Sequence, residues 1–151
     1  GLRNYLGNIM DEQGHPEPTG QAKITPGFNL PCKYIIHTVG PIVQGRLTKH
    51  HEEQLASCYR SCLEIAEENG IKSIVFCCIS TGVFGFPQDS AARIAVDTVR
   101  AWLDEREVSE QLVGEAAGQA DGQVAGQAAP VVVFNVFTAA DEDLYRNLLG
   151  F

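Results

Sequence analysis

Apolar residues recur along this chain in two rhythms, and the alternation of those rhythms predicts an α/β layout. Over residues 1–13, Leu2, Tyr5, Leu6, Ile9 and Met10 fall at the i, i+3, i+4, i+7 spacing of one helical face. Gly14 is expected to end that helix, and Pro16, Pro18 and Gly20 supply a turn. Residues 21–25 then alternate through Ala22 and Ile24 as an edge strand would. The β-branched and aromatic run Tyr34-Ile35-Ile36-His37-Thr38-Val39, closed by Gly40-Pro41, predicts a buried strand. Thr48 is a candidate N-cap for the clearest helix, with Glu52 and Glu53 in its first turn. Its apolar face is Leu55, Cys58, Tyr59, Cys62, Leu63 and Ala66, and Asn69-Gly70 is its stop. Residues 71–79 contain Ile74-Val75-Phe76-Cys77-Cys78-Ile79 without a polar interruption, which predicts a central strand buried on both faces. A helix over 88–104 follows, with Ala91, Ile94, Ala95, Val99, Trp102 and Leu103 on one side. Strand character returns at 131–137. Thr138 and Asp141 then form a capping-box-like start for a last helix carrying Leu144, Tyr145, Leu148 and Leu149.

Composition narrows the setting of these elements. At 151 residues, 44% apolar and 20% charged, the chain suits one globular domain over 1–151 with its own core. Between 108 and 129 the residues shift to Gly, Gln, Ala and Glu, with the near-repeats Ala117-Gly-Gln-Ala, Asp121-Gly-Gln-Val and Ala125-Gly-Gln-Ala. Few large apolar side chains are available there to offset ordering entropy, so a flexible insertion is expected. Neither a run of eighteen apolar residues nor a basic-then-apolar start is present, so the expectation is a cytoplasmic protein with no membrane partner. A formal charge of −8 with no basic run argues against holding nucleic acid through its phosphates. Of the five cysteines, four lie in apolar segments and none forms a Cys-x-x-Cys pair, which predicts reduced, buried thiols.

Candidate chemistry concentrates in one loop. Ligands of open α/β sheets bind beyond the carboxyl ends of the strands, so the loops after Val39, Ile79 and Phe137 are expected to share a rim. In Ser80-Thr81-Gly82-Val83-Phe84-Gly85-Phe86-Pro87, the two glycines allow a tight backbone whose N–H groups converge. The following helix adds its positive N-terminal end, and such a loop suits a phosphate or diphosphate. Phe84 and Phe86 are placed to cover a ribose or bracket the phosphates; the competing reading makes both plugs of the core. Asp89 is read as a partner of the helix dipole rather than a ligand contact. His50 and His51 are adjacent in a first turn and read as solvated, His37 as a hydrogen-bonded core residue, and His15 as a loop residue able to approach the site. Cys58 and Cys62 share a crowded apolar face and read as packing, while Cys77 and Cys78 point to opposite sides of a strand. No nucleophile has a base assigned to its neighbourhood.

Three motifs, Pro18-Thr19-Gly20-x-Ala22-Lys23-Ile24-Thr25, then Tyr34 through Pro41, then Ile79-Ser80-Thr81-Gly82-x-Phe84-Gly85-Phe86-Pro87, together resemble successive motifs of the macrodomain family, in order. Gly14-His15-Pro16-Glu17-Pro18-Thr19-Gly20 and Val133-Phe134-Asn135-Val136-Phe137-Thr138 further resemble its zinc-dependent bacterial branch, whose members remove ADP-ribose from modified proteins. The resemblance implies a three-layer α/β/α fold with a mixed, mostly parallel sheet, here truncated at its N-terminus. The family's opening strands, its asparagine-bearing loop and the zinc branch's Cys/His cluster do not precede Gly1. It also implies that Ser80, Thr81, Gly82, Val83, Phe84, Gly85 and Phe86 hold the diphosphate and proximal ribose, that Phe137 lies towards the adenine, and that Asn135 is a further ligand-binding residue. ADP-ribose or a mono-ADP-ribosylated protein is the implied partner, and zinc is an expected cofactor of the full-length protein only. No catalytic residue or metal ligand is assignable in this chain. The implied activity is ADP-ribosyl hydrolysis, with a non-catalytic ADP-ribose reader or an inactive truncated remnant as alternatives.

Overall fold

A computed structural model describes residues 1–117 and 129–151, the side chains of 108–117 excepted. The elements in chain order are α1 (Leu2–Gln13), β1 (Ala22–Pro26), β2 (Tyr34–Thr38), α2 (Lys49–Glu68), β3 (Ser73–Phe76), α3 (Gln88–Ala117), β4 (Val131–Phe134) and α4 (Ala139–Leu149). Helix ends follow the local chemistry. Gly14 closes α1 with a left-handed φ of 79°, donating its N–H to the Met10 carbonyl. Thr48 and Thr138 cap α2 and α4 in reciprocal capping boxes, with Asp141 as the second partner in α4. In α2 that partner is the His51 ring, so a side chain read as merely solvated accepts a hydrogen bond from the Thr48 N–H.

The strands form two pairs among the described residues. β1 and β2 are antiparallel, with Ala22 opposite Thr38 and Ile24 opposite Ile36, and β3 and β4 are parallel, with Ser73 opposite Val131 and Phe76 opposite Phe134. Partners across a ladder share a face. Ala22 and Ile36 lean on the core beneath α2, whereas Lys23 and His37, on the opposite face, border a cavity with Leu6 and Met10 of α1. Helix, strands and helix are thus stacked in an α/β/α arrangement with both strand senses present. The core itself lies between β3/β4 and the helices α2, α3 and α4. Leu55, Tyr59, Leu63, Phe76, Phe86, Val96, Trp102 and Tyr145 are buried there in one cluster. Arg106 seals its edge, with its guanidinium 3.3 Å from the Trp102 ring centroid and two hydrogen bonds to the Glu67 carboxylate.

Four expectations need correction. β2 is not buried: Tyr34 is 46% exposed and Val39, just beyond its end, is 36% exposed, because α1 and α2 each cover only part of the hairpin. β3 is shorter than 71–79 and buried on one face alone. Ile74 and Phe76 turn inward, while Val75 is 65% exposed, since the helices packed on this pair all lie on one side. An uninterrupted apolar run cannot distinguish these cases, because strand periodicity is visible only when the outer face is polar. The cysteines divide accordingly: Cys58 and Cys62 are buried in α2, but Cys32 and Cys77 are exposed. Lastly, α3 continues past residue 104 to Ala117. Glu110, Gln111, Leu112, Glu115, Ala116 and Ala117 all favour helix, so intrinsic propensity sustains the helix through the Gly-poor start of the biased segment. The rest of the expected insertion, from 118 to 128, lies outside the described residues.

Candidate functional site

The loop between β3 and α3 is built on a short ladder of local bonds. The Thr81 hydroxyl donates to the Cys78 carbonyl at 3.1 Å, the Gly85 N–H to the Gly82 carbonyl at 3.0 Å, and the Phe86 N–H to the Ser80 carbonyl at 3.0 Å. These contacts close the loop on itself before Pro87 opens α3. Gly85 takes φ 69°, a left-handed conformation that a side chain would strain, and a Cβ there would press on the Val43 carbonyl at 3.0 Å. Ser80 also lies in the left-handed region, at φ 66°, and its buried Oγ has no hydrogen-bond partner among the described residues. Strained backbone and an unpaired buried hydroxyl in one residue are features that cluster at working sites.

Gly82 differs from Gly85. It needs no left-handed conformation, and a Cβ built on it would meet nothing within 4 Å. Nothing in the protein's own packing requires glycine there, so the open space over this position suits close approach of a ligand to the backbone. The N–H groups of Thr81, Gly82, Val83 and Phe84 take no acceptor among the described residues. Val83 is fully exposed and Phe84 is 36% exposed, but Phe86 is only 2% exposed. The two phenylalanines therefore divide between the two sequence readings. Phe86 plugs the core and has only its backbone to offer, whereas Phe84 keeps a face towards solvent.

A second wall comes from the segment after β2. The Val43 N–H donates to the Phe84 carbonyl at 2.8 Å, and Gly40 is buried against Ser80 so closely that any Cβ would collide with the serine hydroxyl. α2 fixes this end of the hairpin from below. Ser57 and Ser61 both donate to the Gly20 carbonyl, at 2.9 and 2.8 Å, and the Cys58 thiol contacts the Val39 carbonyl at 3.4 Å. The predicted convergence of the loops after β2 and β3 is thus present. Beyond β4 the Asn135 N–H extends the β3/β4 ladder by donating to the Phe76 carbonyl at 2.8 Å. Phe137, beyond that end, is 96% exposed. Sequence reading overlooked Gly40, Val43, Ser57 and Ser61, whose contacts span distant segments. The sole local signal was the Gly40-Pro41 pair.

The remaining titratable side chains have structural explanations. His15 is exposed and its Nδ1 lies 2.9 Å from the Pro16 carbonyl. Burial pushes the Cys58 thiol up, and the Cys62 thiol up to about 12, so both stay protonated in the core rather than serving as thiolate ligands. No group of three or more His, Cys, Asp or Glu side chains that would hold a metal ion comes together among the described residues. Asp89 stands exposed in the first turn of α3, where a carboxylate complements the helix dipole.

His37 Nε2 lies 2.9 Å from the buried Thr25 hydroxyl, but the ring is half-buried on the hairpin face away from the core rather than within it, and partial burial lowers its pKa from the usual 6.5. A lowered folded value means that the unfolded chain binds the proton more readily. The associated stability is therefore complete above pH 6.5 and is lost as pH falls through the lower folded value. Thermal melts between pH 7.5 and about 5 should show a decline in midpoint that is shallower in His37→Gln; equal slopes for the two proteins would remove His37 as its source.

Comparison with known proteins shows which sequences and folds this chain is similar to. A family profile described as Macro domain matches residues 1–95. A protein-ADP-ribose hydrolase of Treponema medium is 51% identical over 149 residues, covering 99% of this chain and 49% of that protein. The chain spans about half the length of the relatives it matches. Among solved structures, the Oceanobacillus iheyensis macrodomain with ADP superposes with a TM-score of 0.74 at 34% identity, covering 95% of this chain and 65% of that one. The Trypanosoma brucei macrodomain in complex with ADP-ribose gives 0.66 at 33% identity, covering 88% and 47%.

Proposed function

This chain belongs to the macro domain family, and from that membership we propose that it binds ADP-ribose through the loop from Ser80 to Phe86 as part of a protein-ADP-ribose hydrolase. The observation that carries the proposal is the bare backbone of that loop: free N–H groups from Thr81 to Phe84 around a Gly82 with open space above it. A diphosphate is the natural occupant. Its oxygens accept hydrogen bonds without offering a proton in return, and each charge-assisted N–H bond contributes about 1.5–3 kcal/mol. The N-terminal end of α3 adds a fixed positive potential. Local dipoles of this kind hold an anion even on a chain whose formal charge is −8. The exposed face of Phe84 supplies an apolar cover for the proximal ribose, Phe137, just beyond β4, takes the adenine side, and Asn135 is a further contact to the ligand.

For the hydrolytic reading, the loop's part is to fix the diphosphate so that the anomeric carbon of the distal ribose is held still for attack by water. The relatives named as protein-ADP-ribose hydrolases support this reading. The described residues do not provide a ligand set for zinc, and no step is assigned to a metal here.

Calorimetric titration with ADP-ribose, using AMP and ribose-5-phosphate as controls, tests the binding. Affinity in the micromolar range that requires both halves of the ligand is the expected result, and a folded sample that binds none of the three would overturn it. Incubation with a mono-ADP-ribosylated protein then separates two activities: release of free ADP-ribose identifies the hydrolase, and binding without release identifies a reader of the modification.

A further inference from the structure

The outer face of the β1/β2 hairpin, turned away from the core, borders a cavity that the Ser80–Phe86 loop does not use. Leu6 and Met10 of α1 line it on one side, and Lys23, His37, Thr38 and Val39 of the hairpin on the other. α1 is a light cover: none of its residues is buried, and Leu2, Leu6, Ile9 and Met10 are each half-buried. The cavity measures about 190 Å³, room for roughly six water-sized groups. Glu17 lines it as well. Its side chain is only 8% exposed, and its Oε1 is buried without a hydrogen-bond partner among the described residues. Oε2, by contrast, has two long contacts, 3.4 Å to Gln13 Nε2 and 3.7 Å to Lys23 Nζ.

We propose that this cavity is a second binding site, one that takes a short alkyl chain ending in a primary ammonium group, with the ammonium donating to Glu17 Oε1 and the chain lying between Leu6, Met10 and Val39. A buried carboxylate oxygen left without a donor is costly, so the site is completed by a group that brings one. An ammonium carries donors and no acceptor, and its bond to a carboxylate is of the stronger, charge-assisted kind. Lys23 does not fill this role. Its Nζ approaches Oε2, at 3.7 Å, and its side chain is 36% exposed. A carboxylate has about four acceptor positions, so a second cation can share it. His37 adds no competing charge at neutral pH, because partial burial lowers its pKa and keeps the ring neutral. The aliphatic walls disfavour a ligand that is polar throughout, and the volume limits its body to about four or five carbons. The inference stands apart from the reading of the Ser80–Phe86 loop.

Met10 is the only methionine in the sequence, so one isotope-labelled methionine methyl reports from the cavity itself. Its NMR signal in the intact chain is followed at neutral pH and constant ionic strength while n-butylammonium chloride is added, and separately with n-butanol, which has the same body without the charge. The expected result is a shift that saturates with n-butylammonium in the low millimolar range and an affinity about tenfold weaker for n-butanol. Glu17→Gln should lower the affinity for n-butylammonium about tenfold, to the level of n-butanol, and leave that of n-butanol unchanged. Absence of a saturable shift in the wild type would mean that water alone meets Oε1, and would overturn the proposal. Equal affinity for the two probes would overturn it too, leaving an apolar cavity indifferent to the carboxylate, as would full n-butylammonium affinity in Glu17→Gln. The comparison of the two probes in the wild type needs no variant, so it decides the matter whatever the substitution does to the fold.

Discussion

Gly82→Glu should lower ADP-ribose affinity by roughly a hundredfold or more, close to 3 kcal/mol, while leaving the thermal midpoint nearly where it is in the wild type. Retention of the fold is expected because a Cβ at Gly82 meets nothing within 4 Å and its backbone needs no left-handed conformation. The loss of affinity is expected because a carboxylate placed over the free N–H groups of Thr81 to Phe84 competes for them and repels a diphosphate. Two like charges about 4 Å apart near a protein surface oppose each other by about 4 kcal/mol. Gly82→Ala is the informative companion, since it adds bulk without charge and should weaken binding only modestly. Gly85→Glu would give an ambiguous result, because the left-handed φ of 69° and the Val43 carbonyl at 3.0 Å already penalise any side chain. Titration of folded Gly82→Glu with ADP-ribose reads the outcome directly, and wild-type affinity would sink the assignment of the loop.

Gly40→Ala should act through packing instead. The new methyl would collide with the Ser80 hydroxyl and lie 2.8 Å from Cγ2 of Ile79. The hydroxyl can rotate, but β-branched Ile79 has little freedom to move aside. A loss of about 2 kcal/mol is expected from overpacking of this kind, together with a clear drop in ADP-ribose affinity as the loop is pushed away from the segment after β2. Adding Ser80→Ala removes one colliding atom and should recover part of the stability but not the binding. Chemical denaturation of the wild type and the two variants measures this. A fully stable Gly40→Ala protein would mean that the two loops are not in contact as described.

These two glycines mark how far reading along the chain reaches. Gly82 and Gly85 drew notice because they lie between a strand and the start of a helix, a local arrangement that by itself suggests a phosphate loop. Gly40 carries no such signal. Its role depends on Ser80, forty positions away, and the contact exists because the ends of β2 and β3 come side by side. The same holds for Ser57 and Ser61, which look like ordinary polar positions on a helix until Gly20 is brought against them.

By itself, then, the sequence determined the kinds and order of the elements, the capping threonines, the buried cysteines of α2 and the one loop suited to phosphate. All of these depend on residues within a few positions of one another. Tertiary structure alone decided that β3 buries one face and leaves Val75 outside, and that Phe86 goes to the core while Phe84 faces solvent. It also decided that Gly40 and Val43, in the segment after β2, close directly on Ser80 and Phe84. Those outcomes depend on which surfaces of distant segments cover one another, and a run such as Ile74 to Ile79 has the same pattern of side chains whether one of its faces is covered or both.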